Sequence, residues 1–348
     1  MYGDDILIIL GIVTIIFSWL DIFSISLFIR KIILGILMIG ALYVGCISFP
    51  NSADFEVYKI LYFSGASDQF DFPYIEDGII DYGFLWLWIL VKSFGGDIHD
   101  AYFVTCVIAL FCYYVSISKY TSYILTVWSF IYIRIFCVSN IIQIRQGLAM
   151  AIILLGLQYI EKRCFWKFLI TVILAALIHK TVVVVILLYP LTFINWNESK
   201  FFIGVVLFTF LSVIGISEMF FLLASIIGIG VEKIYSYAGT VYFSELSIEA
   251  LLMQGIPILL CAYYLICKKE RYTNLFVSML LCGYFFLMLS KELVIMSRMT
   301  STFLLCMNFI PVYLFCDCKK ISHKIIIMLL INLVLIVLFL KNIVLASG

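Results

Sequence analysis

The chain is short of charge. Only 12% of its 348 residues are Asp, Glu, Lys or Arg, about half the share usual in soluble domains. The net charge is +1, which excludes the broad basic footprint of a nucleic-acid binder. Its eleven cysteines contain no C-x-x-C pair. Only Cys316 and Cys318 are close, and Cys46, Cys106, Cys112, Cys137, Cys261, Cys282 and Cys306 sit within apolar runs. That spacing argues against a zinc site or a disulfide framework and for buried thiols packed as small hydrophobes. No Gly-rich phosphate loop, Pro-rich or Gly/Ser linker, low-complexity tail or internal repeat occurs. No cofactor or metal is expected, and residues 1–348 read as one domain. The start, "MYGDDILIIL", lacks a basic n-region and a small-residue cleavage site follows nowhere near it, so it reads as a retained helix.

What remains is apolar. Hydrophobic residues make up 65% of the chain, and the mean hydropathy is +1.18. The fold class expected is all-α: a polytopic integral membrane protein of about 12 transmembrane helices. Apolar segments run at about 5–20, 31–49, 82–94, 101–117, 122–138, 142–160, 165–179, 181–196, 200–224, 250–267, 273–290, 299–316 and 325–345.

Basic residues orient them. Arg30 and Lys31, Lys162 with Arg163 and Lys167, the run from Lys268 to Arg271, and Lys319, Lys320 and Lys324 belong in the cytoplasm. Two larger outer-face loops follow, at 50–81 and 225–249, and the 291–298 loop shares that side. The first is acidic, with Asp54, Glu56, Asp68, Asp71, Glu76, Asp77 and Asp81 against Lys59 alone. With that loop outside and Lys119 inside, only one of 82–94 and 101–117 can cross. The short 82–94 stretch, ending in two glycines, reads as a re-entrant segment covered by protein.

Ionisable groups at membrane depth are costly, so each marks a candidate site. Arg145 in "NIIQIRQGLAMAI", His179 in "LIHKTV" and Arg298 in "VIMSRMTSTF" all fall on the outer side. The arms joining Arg145 and His179 to the basic turn at 161–167 each cover only about 21–23 Å at ~1.5 Å per residue, less than the ~30 Å hydrocarbon core. Both residues are therefore expected at similar heights in a recessed outward cavity. Arginine keeps its charge and offers a planar fork for phosphate oxygens. A helix's first turn adds positive dipole, and histidine can move a proton near neutral pH. The anion with an apolar tail that suits such a pocket is a polyprenyl diphosphate. Plainer readings stand beside these. Arg145, Arg298 or Arg134 can snorkel to headgroups, His179 can bond a neighbouring helix, and Lys180 can anchor at the interface. Tyr58, Tyr62, Phe63, Phe70, Phe72, Tyr74 and Tyr82 in the first outer loop, and Tyr235, Tyr237, Tyr242 and Phe243 in the second, suit sugar rings or a membrane aromatic belt equally.

Over about residues 50–315 the chain resembles the EpsG-like branch of the Wzy-type polysaccharide polymerases. The resemblance lies in Asp54, Tyr58 and Tyr62; the "DYGFLWL" step at Asp81–Leu87; Asn140, Arg145, Gln146 and Gly147; His179 and Thr181; and Arg298 ahead of Pro311. It implies a metal-independent, inverting glycosyltransferase at the outer face of the bacterial cytoplasmic membrane. Such an enzyme joins undecaprenyl-diphosphate-linked oligosaccharide units into O-antigen, capsule or exopolysaccharide, and the implied protein partner is a chain-length co-polymerase. His179, Arg145 and Arg298 would then be catalytic. Asp54, Tyr58, Tyr62, Asp81, Tyr82, Gln146 and Thr181 would bind substrate. An O-antigen ligase or another lipid-linked glycosyltransferase would use a similar pocket, a membrane O-acyltransferase would use a histidine in an apolar helix, and a transporter of lipid-linked units is the non-enzyme alternative.

Overall fold

A computed structural model describes residues 2–23, 25–65, 81–213, 248–269, 271–290, 296–316, 318 and 320–346. Among them all regular structure is helical. The chain divides into two compact units: residues 1–157, 173–180 and 308–348, and residues 158–172 and 181–307.

The first unit opens with an apolar hairpin, α1 (Tyr2–Ser18) and α2 (Leu27–Ser48). Its turn holds a buried acid. Asp21 accepts the Thr126 backbone N–H at 2.7 Å and Arg30 Nη1 at 3.3 Å, and Arg30 also donates to the Ser122 carbonyl. These bonds fasten the hairpin to the start of α6 (Ile124–Ile131). Farther along, Ser129 donates to the Thr14 carbonyl and Tyr132 to that of Leu7.

Between α2 and α6 lie α3 (Phe55–Ile60), α4 (Tyr82–Ser93) and α5 (Ile98–Tyr120). At twelve residues, α4 covers about 18 Å, short of the ~30 Å core. Gly95 ends it in the left-handed region at φ 82°, where glycine has no Cβ penalty. The Gly95 and Gly96 N–H groups return to the carbonyls of Lys92 and Val91. One residue on, Asp97 and Asp100 form a reciprocal capping box that starts α5. The two glycines thus make a tight reversal of direction.

The α6 span departs from the plain helix that its apolar pattern suggests. From Tyr132 to Asn140 it widens into a π-helix, a form often found at functional sites. Asn342 reaches this stretch from far along the sequence, its Nδ2 donating to the Ile133 carbonyl at 2.6 Å. Arg134 donates to Asn308 Oδ1 at 3.2 Å, a protein partner at the position where headgroup snorkelling was one reading.

Next come α7 (Ile144–Glu161) and α8 (Phe165–Ile178). After His179 the chain does not continue as a helical span. It becomes a 3-10 stretch, Lys180–Leu187, then a single turn, α9 (Leu188–Leu191). The second unit adds α10 (Glu198–Val213), α11 (Ile248–Lys268), α12 (Thr273–Leu289) and α13 (Met296–Phe303). There α11 packs along α12, and α12 along α13. Arg163, whose backbone is left-handed at φ 55°, forks onto Thr192 at 2.9–3.0 Å and lies 4.1 Å over the Phe193 ring. The 299–316 segment is broken into α13, a 3-10 turn at Leu304–Asn308, and α14 (Ile310–Cys316). The chain returns to the first unit with α15 (Ile321–Ala346).

Among the described residues, five helical stretches are long and apolar enough to cross a membrane: Leu27–Asn51, Ile98–Tyr120, Ile144–Glu161, Arg298–Phe315 and Ile321–Asn342. Six shorter apolar helices accompany them. The chain is a multi-pass membrane protein. Of the two outer-face loops, 50–65 is helical rather than irregular, and residues 66–80 lie outside the described residues. Of 225–249, only 248 and 249 are described, as the start of α11.

Candidate functional site

The site is built on a diverted cap. Asp81 occupies the N-cap position of α4, where an aspartate usually turns its carboxylate onto its own helix. Here no side-chain cap forms. Asp81 Oδ1 instead accepts the backbone N–H of Lys180 at 3.1 Å. The preceding N–H, from His179, still closes the α8 ladder on the Ala175 carbonyl. The carboxylate thus captures the first N–H beyond α8, which explains why an apolar run breaks at that residue.

The other carboxylate oxygen is shared by two side chains. Asp81 Oδ2 lies 3.4 Å from His179 Nδ1 and 3.7 Å from Arg145 Nη1. Asp81 is 4% exposed and His179 9%, so these attractions act with little screening by water. Arg145 is less enclosed, with its side chain 21% exposed. Neither ring nitrogen of His179 has a hydrogen-bond partner among the described residues. Nδ1 is the nitrogen turned toward the Asp81 carboxylate, and the buried Nε2 is the one left for a ligand's polar atom.

Two glycines permit the convergence. A Cβ on Gly83 would stand 2.7 Å from the Leu177 Cβ and 2.9 Å from its carbonyl oxygen; only a bare backbone lets α4 lie against the end of α8. A Cβ on Gly147 would collide with the Ser139 carbonyl oxygen and come within 2.8 Å of Asn140 Cγ. The small residue after "IRQ" therefore lets the first turn of α7 back onto the end of the π-helix. Tyr113 fixes that junction, its hydroxyl 3.2 Å from both Asn140 Oδ1 and the Gly147 carbonyl, while Tyr102 donates to the Asn140 carbonyl. Arg145 is set by this braced turn.

Under Arg145 lies an aromatic floor. Its guanidinium carbon is 5.9 Å from the Tyr58 ring centre, within cation–π range. Burial pushes the Tyr58 phenol above its ordinary value, against the pull of Arg145, which leaves a neutral ring beneath the cation. Phe84 and Trp88 pack against Tyr58, and Trp88 bonds Thr105.

The remaining sequence candidates fall as follows. Tyr62 is 3% exposed; its hydroxyl donates to the Gly96 carbonyl at 2.6 Å, and its ring packs on Trp88. Through that bond it braces the α4–α5 reversal. Asp54 begins α3, and Tyr82 is 49% exposed on the first turn of α4. Gln146 is buried beside Arg145. Thr181 and Arg298 belong to the second unit. The Thr181 hydroxyl is buried without a hydrogen-bond partner among the described residues. Arg298 is half-buried in the first turn of α13, its carbonyl accepting from Ser301.

Sequence reasoning gave Asp81 only a secondary place, because it is one of seven acids in the 50–81 stretch. It missed Tyr113 and Tyr102, which look like any aromatics in an apolar run. The signal for Asp81 was its position directly before "YG", where helix start and close backbone approach coincide. Among the described residues no group of His, Cys, Asp and Glu side chains is arranged to hold a metal.

Compared with known proteins, the chain is matched over residues 31–348 by the model of the EpsG family. No curated protein and no solved structure matches it.

Proposed function

Because the chain belongs to the EpsG family, we propose that it is a polysaccharide polymerase of the Wzy type. It joins undecaprenyl-diphosphate-linked oligosaccharide units at the outer face of the cytoplasmic membrane. The observation that carries this reading is the meeting of Arg145, His179 and Asp81 among apolar helices. A cation and a proton acceptor set side by side are what glycosyl transfer from a lipid diphosphate requires.

In the proposed step the acceptor sugar's hydroxyl gives its proton to His179 Nε2 as its oxygen attacks the anomeric carbon of the donor. The new C–O bond forms as the bond to the diphosphate oxygen breaks. The electron pair leaves with the diphosphate, whose growing negative charge Arg145 and the first turn of α7 meet. Attack opposite the leaving group inverts the anomeric centre, and the grown chain passes as a block to the new unit. Arg298 is a further candidate for the diphosphate. Asp54, Tyr82, Gln146 and Thr181 are candidates for sugar contact. A chain-length co-polymerase is the proposed protein partner.

The test is a strain lacking the gene, complemented with the wild type, Arg145→Ala or His179→Ala at matched protein levels. Long chains are expected only with the wild type. Long chains with either variant would remove that residue from the reaction. In the uncomplemented strain, single units on the final acceptor fit a polymerase. Finished chains held on the carrier would mean a ligase, and units trapped in the inner leaflet a transporter.

A further inference from the structure

The proposed step uses a base and a cation, and Asp81, which meets both, takes no part in its bond changes. Three features of that residue are unusual together. It stands at a helix start yet does not cap its own helix. It is almost fully buried. Its carboxylate is divided among the Lys180 N–H, the His179 ring and the Arg145 guanidinium. The two side-chain contacts, at 3.4 and 3.7 Å, converge on one oxygen and are both long for charge-assisted bonds. A carboxylate held in this way is a shared counter-ion, engaged fully by neither partner.

We propose that Asp81 is the positioning residue of the site, with two linked tasks. It holds His179 with the proton on Nδ1, leaving the Nε2 lone pair open toward the ligand. It also occupies Arg145 as a stand-in anion until a ligand diphosphate takes that place. The step it serves rests on the polymerase reading; its contacts do not.

The first task follows from tautomer chemistry. The nitrogen that faces an acceptor keeps the proton, and the other nitrogen is then free to accept one. Neither ring nitrogen completes a hydrogen bond among the described residues, but Nδ1 is the one that faces Asp81, at 3.4 Å. The second task follows from charge. A half-buried arginine needs an anion nearby, and a protein carboxylate competes with an incoming phosphate for the same guanidinium fork. As the ligand draws Arg145 away, the Asp81 oxygen is left to His179 alone, and the ring is held with Nε2 toward the acceptor when the donor is in place. The Lys180 N–H, bound to the other oxygen, keeps the carboxylate from following Arg145. Ligand arrival and orientation of the base are thereby coupled through one atom.

Two measurements on the full-length protein in lipid bilayers test this. The first needs no variant of Asp81. The chain has three histidines, so nitrogen-15 NMR of histidine-labelled protein, with a His179→Gln sample for assignment, resolves the His179 ring. At a pH where the ring is neutral, the Nδ1-protonated tautomer is expected; an Nε2-protonated ring overturns the proposal. The second is titration with inorganic diphosphate. Asp81→Asn is expected to bind it roughly three- to tenfold more tightly than the wild type, the scale of a partly exposed charge pair. In the polymerisation assay it should lose kcat without a rise in KM for the lipid-linked donor. Equal or weaker diphosphate binding, or an unchanged kcat, overturns the assignment, since a merely structural aspartate would lower binding and turnover together. The tautomer and binding measurements need no polymer. If the wild type makes none, the polymerase reading falls while the placement of Asp81 is still judged.

Discussion

Gly83 lies against the backbone of Leu177 so closely that a Cβ would stand 2.9 Å from the Leu177 carbonyl oxygen. This contact joins the start of α4 to the end of α8, and so brings Asp81 to His179. Replacing a helical glycine by alanine ordinarily gains ~0.5–1 kcal/mol. Overpacking against a rigid partner costs ~1–3 kcal/mol, and here the partner is backbone. Gly83→Ala is therefore expected to lower the melting temperature in detergent and to abolish long-chain product. A variant as stable and as active as the wild type would show that α4 and α8 need not touch.

Gly147 makes a second such contact, with the Ser139 carbonyl, and Tyr113 bonds both sides of it. Tyr113→Phe keeps the ring and removes the hydroxyl, leaving buried acceptors short of a donor. A loss of about 1–3 kcal/mol is expected, with reduced activity because the turn carrying Arg145 loosens. Denaturation in detergent and product gels measure the two effects separately. Unchanged stability would mean that the Asn140 turn is held by other contacts.

Tyr62→Phe should behave differently. It loses one bond, to the Gly96 carbonyl, at a cost of about 1 kcal/mol, while the ring still packs on Trp88. Long-chain product is expected at close to the wild-type level. Loss of product at normal protein levels would return Tyr62 to the substrate-contacting set that its motif suggested.

Asp21, in the turn between α1 and α2, gives a pH dependence. Burial raises its carboxyl to about 6, against the opposing pull of the Thr126 N–H and Arg30; unfolded, an aspartate titrates near ~3.9. A folded value above the unfolded one means that the native state binds the proton more tightly. The stabilising contribution is complete below ~3.9 and is lost as pH rises through about 6. Asp21→Asn does not titrate. The stability of the wild type relative to that variant should therefore fall by roughly 2–3 kcal/mol between about pH 4 and pH 7. A difference that is constant across this range would mean that Asp21 does not titrate there.

Arg145→Lys separates point charge from fork geometry. Lysine keeps the charge and loses the planar donors. Activity reduced by about tenfold or more is expected, with weaker binding of inorganic diphosphate. Full activity would show that a charge alone suffices at this position.

The parts of this site that were legible in the sequence are those where polarity breaks an apolar pattern. Arg145 and His179 stand out because a membrane segment has little reason to carry them. The break of the span at His179 was visible as a polar triplet within an overlong run. Asp81 was hidden because an acid in an acidic loop breaks no pattern; only the fold reveals that it leaves its own helix uncapped. For Tyr62 the sequence does not separate the two roles, because a buried, bracing tyrosine and a sugar-stacking one have the same letter and the same neighbours. The π-helix at Tyr132–Asn140 was illegible, since an all-apolar stretch keeps no record of its helical period. Asp21 went unnoticed as a lone acid between two apolar helices, although burial without a hydrogen-bonded partner there would be prohibitive.

The central claim, that this chain polymerises lipid-linked units at Arg145, His179 and Asp81, is tested most directly in vitro. Purified protein in lipid nanodiscs is given synthetic undecaprenyl-diphosphate-linked repeat units, with no nucleotide sugar and no added metal, and the products are resolved by gel. The account requires a ladder spaced by one repeat unit from the wild type and none from Arg145→Ala or His179→Ala. Unextended units with active-condition wild type, or a full ladder from either folded variant, would contradict it.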